Sequence, residues 1–470
     1  MATKEKQDQV PKNIINTGWI LVLGALMPML DSTMVNIAIN HLSHDFNTGL
    51  DSIQWVTTGY VLATAIAVPI AGWAIQRFDG KNLVIGANVL FLLGSILSGL
   101  SWNIDAMIIF RIVQGAAAGF ILPLMSTLMA QIAGPQYMGR LMSIIGIPIV
   151  LGPILGPVVG AIIIQSVSWR WIFFVNVPVG VIAIALMMWK LQHFTPVNPK
   201  AKFDFVGITL LGIISATLIY GITDAAKNAT FNNGATIGFT IAGIFSLVVY
   251  IVYAAYRKDA AILPLHLFKI KSFDGAMLGL FLAGIANNGP MLLLPLFFQN
   301  VRGFSVINAG LMLISQGVGM LVARPLIGRM TDKLGARTVV LVSLAFTIAG
   351  TLPFVFFDHN ASLVWISVAL FIRGIGIGGV SIPMMTDAYT GMEKADVPAS
   401  SIGTRIIQNI GGAFGSAVLA TVVSLSVTSA PTLRVMTTAY QNGFKVALFV
   451  SLLLLLPALL LTNRVKASTN

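Results

Sequence analysis

PIAGWAIQRFDGKNLVIG, residues 69–86, aligns without a gap on PLIGRMTDKLGARTVVLV, residues 325–342, with Pro69 opposite Pro325 and Gly72 opposite Gly328. Each copy ends one long apolar run and begins the next, so the chain repeats itself at an offset of 256 residues. The composition sets what is repeated: 56% of the 470 residues are hydrophobic and 9% charged, against about a quarter charged in an ordinary soluble domain. Runs of about 20 apolar residues, each enough to cross a hydrocarbon core of about 30 Å, recur along the whole length. Fourteen are expected, near residues 17–40, 53–76, 82–101, 105–132, 141–165, 171–190, 204–223, 235–256, 273–299, 306–329, 338–357, 362–387, 399–427 and 441–462. Six segments end at residue 190, short of the repeat offset, so two more must lie between the copies, and residues 204–256 supply them. The expected fold is an all-α polytopic membrane protein of two six-helix bundles plus two inserted helices. It divides into an N-terminal segment 1–16, a bundle 17–190, a linker with the inserted pair 191–271, a second bundle 272–463 and a tail 464–470.

Net charge is +12, but the basic residues are sorted by loop rather than gathered into a nucleic-acid surface. Placing both termini in the cytoplasm puts 19 of the 28 Lys and Arg on the inner side, as the positive-inside bias requires. No nucleic-acid partner is expected; the lipid bilayer is. Lys4, Lys6 and Lys12 precede the first apolar run, yet its length and the missing small-residue cleavage site argue against a removed signal. There is no cysteine, and His41, His44, His193, His266 and His359 fall at segment ends or in loops, so neither a metal site nor a catalytic histidine is expected.

Within the first segment, in LDSTMVNIAI, stands Asp31. A carboxylate in a membrane helix is costly and marks a functional site by default. It follows the segment start by about 14 residues, roughly 21 Å, and Arg111 in segment 4 lies about 6 residues, roughly 9 Å, below the opposite face. Both charges therefore reach one level. An isolated carboxylate in low dielectric takes up a proton, whereas a nearby guanidinium favours the anion. Moving Arg111 or water a few ångströms would then swing proton affinity, which is what a proton-coupled carrier needs. A static pair joining two helices is the alternative. The repeat offset carries Asp31 onto the uncharged Asn287, and polar residues at a midplane repeat interface are the usual design of secondary transporters.

LDSTMVNIAI also resembles the helix 1 signature of the fourteen-helix drug:proton antiporters of the major facilitator superfamily. GWAIQRFDGK resembles that superfamily's loop motif, FRIVQGAAAG its arginine motif, GIPIVLGPILGPVVG the antiporters' glycine and proline motif, and SWRWIFFVNVPVG their entry to helix 6. The resemblance implies a major facilitator fold and export of an amphipathic compound in exchange for protons. The proton is the coupling ion, no cofactor takes part, and Asp31 is the proton-binding acid with Arg111 its modulator. It also implies conformational roles for Gly72, Arg77 and Lys81 in the first loop motif, for Gly328, Asp332 and Arg337 in the second, and for Gly152, Pro153, Gly156 and Pro157 in segment 5. Three positions depart from it: Gln76 replaces the usual acid, Asp79 the usual glycine and Asn40 the usual proline. Independently of the family, Gly152, Gly156 and Gly160 form a smooth stripe and the neighbouring prolines favour bends. Segment 5 is therefore read as shaping the seam that opens and closes, with a static small-residue contact as the alternative.

The cavity should be mostly apolar with a few orienting polar groups; Met27, Gln54, Trp55, Tyr60, Asn287, Asn288, Gln316 and Gln408 are expected to line it, though each also suits ordinary helix packing. Arg405 is expected to pair with Asp387 at a helix end. Arg324 is a further buried charge, and Arg373, in FIRGIG, echoes the arginine stretch of segment 4 and is deep enough to be functional. No second deep acid serves a dication, so a monovalent cation or a neutral or zwitterionic lipophile suits the charges, while the arginines leave an amphipathic anion open. The inserted segments carry few deep polar residues and are read as a lipid-facing or interdomain element. The expected protein is a monomeric multidrug exporter of lipophilic molecules in a bacterial cell membrane; a dedicated transporter of one lipid, organic acid or peptide metabolite is the second reading. An enzyme is not expected, since no nucleophile and base set, metal cluster or nucleotide loop is present.

Overall fold

Apolar segments of this length must satisfy every backbone N–H and C=O internally, and all of them form helices. The computed structural model describes residues 10–48, 53, 55–196, 198–228, 230–393, 395–426 and 432–463. The first bundle holds α1 (Lys12–Asp45), α2 (Trp55–Arg77), α3 (Gly80–Gly99), α4 (Ile104–Ser166), α5 (Trp171–Phe174) and α6 (Asn176–Lys190). The inserted pair is α7 (Phe205–Lys227) and α8 (Gly234–Arg257). The second bundle holds α9 (Lys271–Asn300), α10 (Val306–Leu334), α11 (Ala336–Thr351), α12 (Leu363–Gly378), α13 (Ser381–Asp387), α14 (Val397–Leu425), α15 (Leu433–Leu453) and α16 (Leu455–Ala458). Among the described residues, 13 helices are long and apolar enough to cross a membrane. The remaining expected segment, 141–165, is the second limb of α4, which turns at Gly134 (φ 60°, ψ 177°). Arg111 and Gly156, almost equidistant from that turn, both lie against residues 30–33 of α1, so the two limbs run back alongside each other.

Polar residues start several of the helices: Asp79, Asn103, Asn233, Ser305 and Thr432 each accept a bond from a backbone N–H of the helix they cap. The last segment was expected from residue 441, but α15 begins at Leu433. Its first turns, LRVMTTAYQN, are too polar to register as an apolar run, and the Thr432 cap starts them. Predicted segments 6 and 12 are each two helices, meeting at Val175 and at Gly379–Val380.

The second loop motif needs a glycine: Gly335, between α10 and α11, has φ 84°. Its backbone abuts Asn463, and Arg337 N–H donates to the Thr462 carbonyl at 3.0 Å. The first loop motif lies at the same end. There the bundles touch where α2 meets α14: a Cβ on Gly72 would stand 1.7 Å from Ile402 Cδ1. Ser401 Oγ, on α14, faces the Pro123 carbonyl of α4 at 3.4 Å, and Arg405 Nη2 donates to Ser126 Oγ at 2.7 Å.

Helix α7 closes the side of this seam. Ile208, Leu211, Ile214, Ile219 and Ile222 share one apolar core with Ala65 and Val68 of α2 and with Ile402, Ile406 and Ile410 of α14. Tyr220 stacks on Trp55, and Phe231, just after α7, packs on Phe414. Helix α8 packs on α7 and turns Ile241, Ile244, Phe245 and Val248 outward. Of the two roles open to the inserted pair, α7 is interdomain and α8 faces the surroundings. Asp204 ties them to the linker, accepting from Tyr253 Oη, from Ile262 N at 3.2 Å and from Gly207 N at 3.0 Å.

The Gly72 contact gives a direct test in a chain without native cysteine. A Cβ at position 72 would lie 3.7 Å from Ile402 Cβ, inside the range that a disulfide spans. Gly72→Cys with Ile402→Cys should oxidise to an intramolecular disulfide, seen as a mobility shift reversed by reductant; no cross-link in membranes would contradict the closed seam.

Candidate functional site

Asp31 and Arg111, 0% and 1% exposed, form a salt bridge of 2.5 Å between Oδ2 and Nη1. The chain builds a shell around the two charges. Gln114, one turn along α4, donates from Nε2 to Asp31 Oδ1 at 3.1 Å and accepts from Arg111 Nη1 at 2.8 Å. Arg111 Nε donates to the Val56 carbonyl at 3.2 Å. The Tyr60 ring centroid lies 4.2 Å from the guanidinium carbon and that of Phe173 5.8 Å, distances at which an aromatic face attracts a cation. Helices α1, α2, α4 and α5 thus converge on one desolvated pair.

Close backbone approach makes this convergence possible. A Cβ on Gly115 would meet the Tyr60 carbonyl at 2.3 Å, and one on Gly156 would meet Thr33 Oγ1 at 2.0 Å. Gly160 lies against Met34. The described part of the segment 5 stripe therefore packs on α1 inside the first bundle, beside Asp31, rather than forming the seam between bundles. Gly152, Pro153 and Pro157 lie in the same limb of α4, and their side-chain surroundings fall outside the described residues. The SWRWIFF stretch supports the far end of α1: Trp169 Nε1 donates to Asp45 Oδ2 at 2.6 Å, and Arg170 stands 3.8 Å from the same carboxylate.

The expected cavity set divides. Tyr60 is part of the ion-pair shell. Met27 is fully buried in the first bundle's core against Gly180. Trp55 is a correction: it is 44% exposed on the outer side of α2 and stacks on α7, because the turn that brings Tyr60 inward carries Trp55 outward. Gln54 lies outside the described residues. Asn287 Nδ2 donates to Ser381 Oγ and Asn288 Nδ2 to the Gly284 carbonyl, both at 3.2 Å. Gln408 is half-buried on α14, and Gln316 is buried and committed to Arg373.

Arg373 is buried and, among the described residues, is bridged to no acid: Nη1 donates to Gln316 Oε1 at 2.7 Å, Nη2 to the Ala286 carbonyl at 3.2 Å and Nε to Thr351 Oγ1 at 3.3 Å. Its register differs from the expected echo. Gly94 abuts Gln114 as Gly350 abuts Arg373, and Gly115 abuts the Tyr60 carbonyl as Gly374 abuts that of Gln316. Gly119 and Gly378 repeat the pattern on Thr64 and Met320. The offset is thus 256 residues in α2 and α3 but 259 in α4. Arg373 is the counterpart of Gln114, and the counterpart of Arg111 is the buried, apolar Leu370. The second bundle therefore holds a cation where the first holds an amide.

The remaining charges also settle apart from expectation. Asp387 does not pair with Arg405: it accepts from Thr462 N–H at 3.0 Å and from the Thr462 hydroxyl, because the segment after α16 folds back on it. Arg324 is 5% exposed, and its Nε and Nη1 have no hydrogen-bond partner. In the first loop motif the unusual Asp79 caps α3 and binds the linker, accepting from His193 Nδ1 at 2.5 Å and Phe194 N–H at 2.8 Å. Burial works against its charge, but the bonds from His193, Phe194 and Lys81 outweigh that and hold its carboxyl below the usual carboxylate range. Arg77 Nη1 donates to the Ala201 carbonyl at 2.9 Å and Lys81 Nζ to that of Met188 at 3.0 Å. This motif thus fastens the linker to α2 and α3. Gly328 is buried in α10, and Asp332 lies in the last turn of that helix.

A two-bundle helical membrane protein with a charged pair sealed in one bundle has the architecture of a secondary transporter. The Major Facilitator Superfamily model matches residues 21–416, and the chain belongs to that superfamily of transporters. It is 31% identical over 419 residues to the multidrug resistance protein B homolog of Mycobacterium tuberculosis, covering 89% of this chain and 77% of that protein. It is 28% identical to the multidrug export protein EmrB of Haemophilus influenzae over 398 residues, 84% of this chain and 78% of that one. The solved structure of the proton:xylose symporter XylE is similar with a TM-score of 0.63 at 16% identity, covering 93% of this chain and 95% of that one, a likeness of fold.

Removing one partner of a buried pair leaves the other charge uncompensated and costs about 3–5 kcal/mol. Arg111→Met should lower the unfolding temperature of the purified protein sharply, and adding Asp31→Asn should recover most of the loss. A double variant as unstable as the sum of the two single ones would show that the pair is not coupled.

Proposed function

We propose that this transporter exports lipophilic or amphipathic compounds in exchange for protons, with Asp31 as the proton-binding group and Arg111 as the cation that competes with the proton for it. The observation that carries this reading is the buried bridge between them: Asp31 is fully enclosed, so it exchanges a proton only when the bundle rearranges. The relatives named for multidrug export support the direction and the breadth of substrate. The excess of Lys and Arg at the loop-motif end supports placing that end and both termini in the cytoplasm of a bacterial cell.

In the conformation described, the loop-motif end is shut by Gly72 against Ile402 and by Arg405 on Ser126. Substrate is taken up when this end parts, while Asp31 is ionised and paired. Protonation from the far side discharges Asp31, frees Arg111 and favours release; the proton leaves inward when the seam reopens. A proton moving down a membrane potential gains about 2.3 kcal/mol per 100 mV, enough to support accumulation of a small lipophile severalfold.

Everted vesicles carrying the protein should take up a lipophilic dye when a proton gradient is imposed, and Asp31→Asn should abolish the gradient-driven part while leaving passive uptake. Undiminished gradient-driven uptake in that variant would remove Asp31 from the mechanism.

A further inference from the structure

The linker between the first bundle and α7 is laid across the end of α2. Asn198 N–H donates to the Gln76 carbonyl at 2.9 Å, and Ala201 N–H closes a turn on the Asn198 carbonyl at 2.9 Å. Two side chains from the last turns of α2 then hold one linker carbonyl: Arg77 Nη1 donates to Ala201 O at 2.9 Å and Trp73 Nε1 to the same atom at 3.4 Å. Lys200 and Lys202 flank that carbonyl, and they and Arg77 are exposed. Two ammonium groups and a guanidinium are thereby gathered at one place.

Beside them lies an uncovered aromatic row. Trp73 meets Phe203 edge to face at 4.7 Å and Phe78 at 5.5 Å, and Phe205 continues the row 6.4 Å from Phe203. Phe78, Phe203 and Phe205 are 44%, 44% and 68% exposed. They sit where one apolar span, Trp55–Arg77, ends and another, Phe205–Ala225, begins, the level at which aromatic side chains mark a membrane–water boundary. The described acids here are already engaged. Asp79 is bound by His193 and by the Lys81 and Phe194 N–H groups. Asp204, 4% exposed, is bound by Tyr253, Gly207 and Ile262. The side chain of Asp259, after α8, lies outside the described residues.

We propose that Arg77, Lys200 and Lys202 bind the phosphate of an anionic glycerophospholipid, whose glycerol and upper acyl chains lie along the Trp73, Phe203 and Phe205 rings. Arg77 has one nitrogen committed to Ala201 among the described residues, and the rest of its guanidinium is available for charge-assisted bonds to phosphate. A zwitterionic lipid brings its own ammonium group, which competes for the phosphate; phosphatidylglycerol does not. The bound phosphate joins the end of α2 to the start of α7, the helix that closes the side of the seam. Lipid composition then acts on the contact between the first bundle and the inserted pair, without any part for Asp31.

The test is native mass spectrometry of the full chain in neutral detergent, titrated with dioleoyl phosphatidylglycerol and with dioleoyl phosphatidylcholine. Each basic residue near an anionic lipid contributes about fivefold in affinity, so the first phosphatidylglycerol should bind about tenfold more tightly than phosphatidylcholine, or better. Lys200→Gln with Lys202→Gln, two exposed changes, should remove most of that preference. Lys269→Gln with Lys271→Gln, the same charge change at the same end of the protein, should leave it intact. Phe203→Ala should weaken binding of both lipids, and glycerol phosphate, a headgroup without chains, should displace neither. Equal binding of the two lipids, equal loss of preference in the two double variants, or displacement by glycerol phosphate would overturn the proposal. No proton gradient is involved, so these outcomes are separate from loss of gradient-driven uptake, which bears on the antiport reading alone.

Discussion

An Asp31 carboxylate and an Arg111 guanidinium share a compartment that water does not enter, and the first bundle is arranged around that fact. Desolvating two charges costs several kcal/mol per ion unless geometry and further hydrogen bonds offset it. Here Gln114, the Val56 carbonyl and the Tyr60 ring supply those contacts. Gly115 and Gly156 let α2 and the second limb of α4 approach closely enough to deliver them. A pair so enclosed is stable while both charges remain, and protonation of the acid leaves an arginine in need of new partners. This gives a proton leverage over helix packing.

The second bundle inherits the scaffold but not the acid. Its glycines abut the same neighbours as those of the first bundle, yet three added residues between α11 and α12 shift which residue of α12 faces inward. Arg373 arrives where Gln114 stands, Leu370 where Arg111 stands, and the charge is satisfied by an amide, a carbonyl and a hydroxyl. Arg324 and Arg405 add cations with unfilled bonding capacity. One bundle therefore encloses an acid paired with a cation, and the other, among the described residues, buries cations with no acid bridged to them.

The repeat, the segment count and the Asp31–Arg111 level were legible because they depend on length, hydropathy and rise per residue, which a linear chain displays. What was not legible depends on rotation and on distant chain. Trp55 and Tyr60 are five residues apart and face opposite ways, which apolar composition alone does not resolve. Asp387 lies near Arg405 in sequence order but binds Thr462, 75 residues on. The partners of Asp79 come from the linker, and only the departure from the usual glycine marked the position. The register of Arg373 needed the glycine contacts, since FIRGIG and FRIVQG match by eye in the wrong turn.

The central claim is that one carboxylate couples substrate to proton. It is tested most directly by counting protons exchanged when substrate binds the purified protein, from binding heats in buffers of different ionisation enthalpy across pH 5–9. Binding to the ionised, Arg111-paired form predicts proton release that passes through a maximum with pH in the wild type and is absent in Asp31→Asn. The same release in both proteins would contradict it.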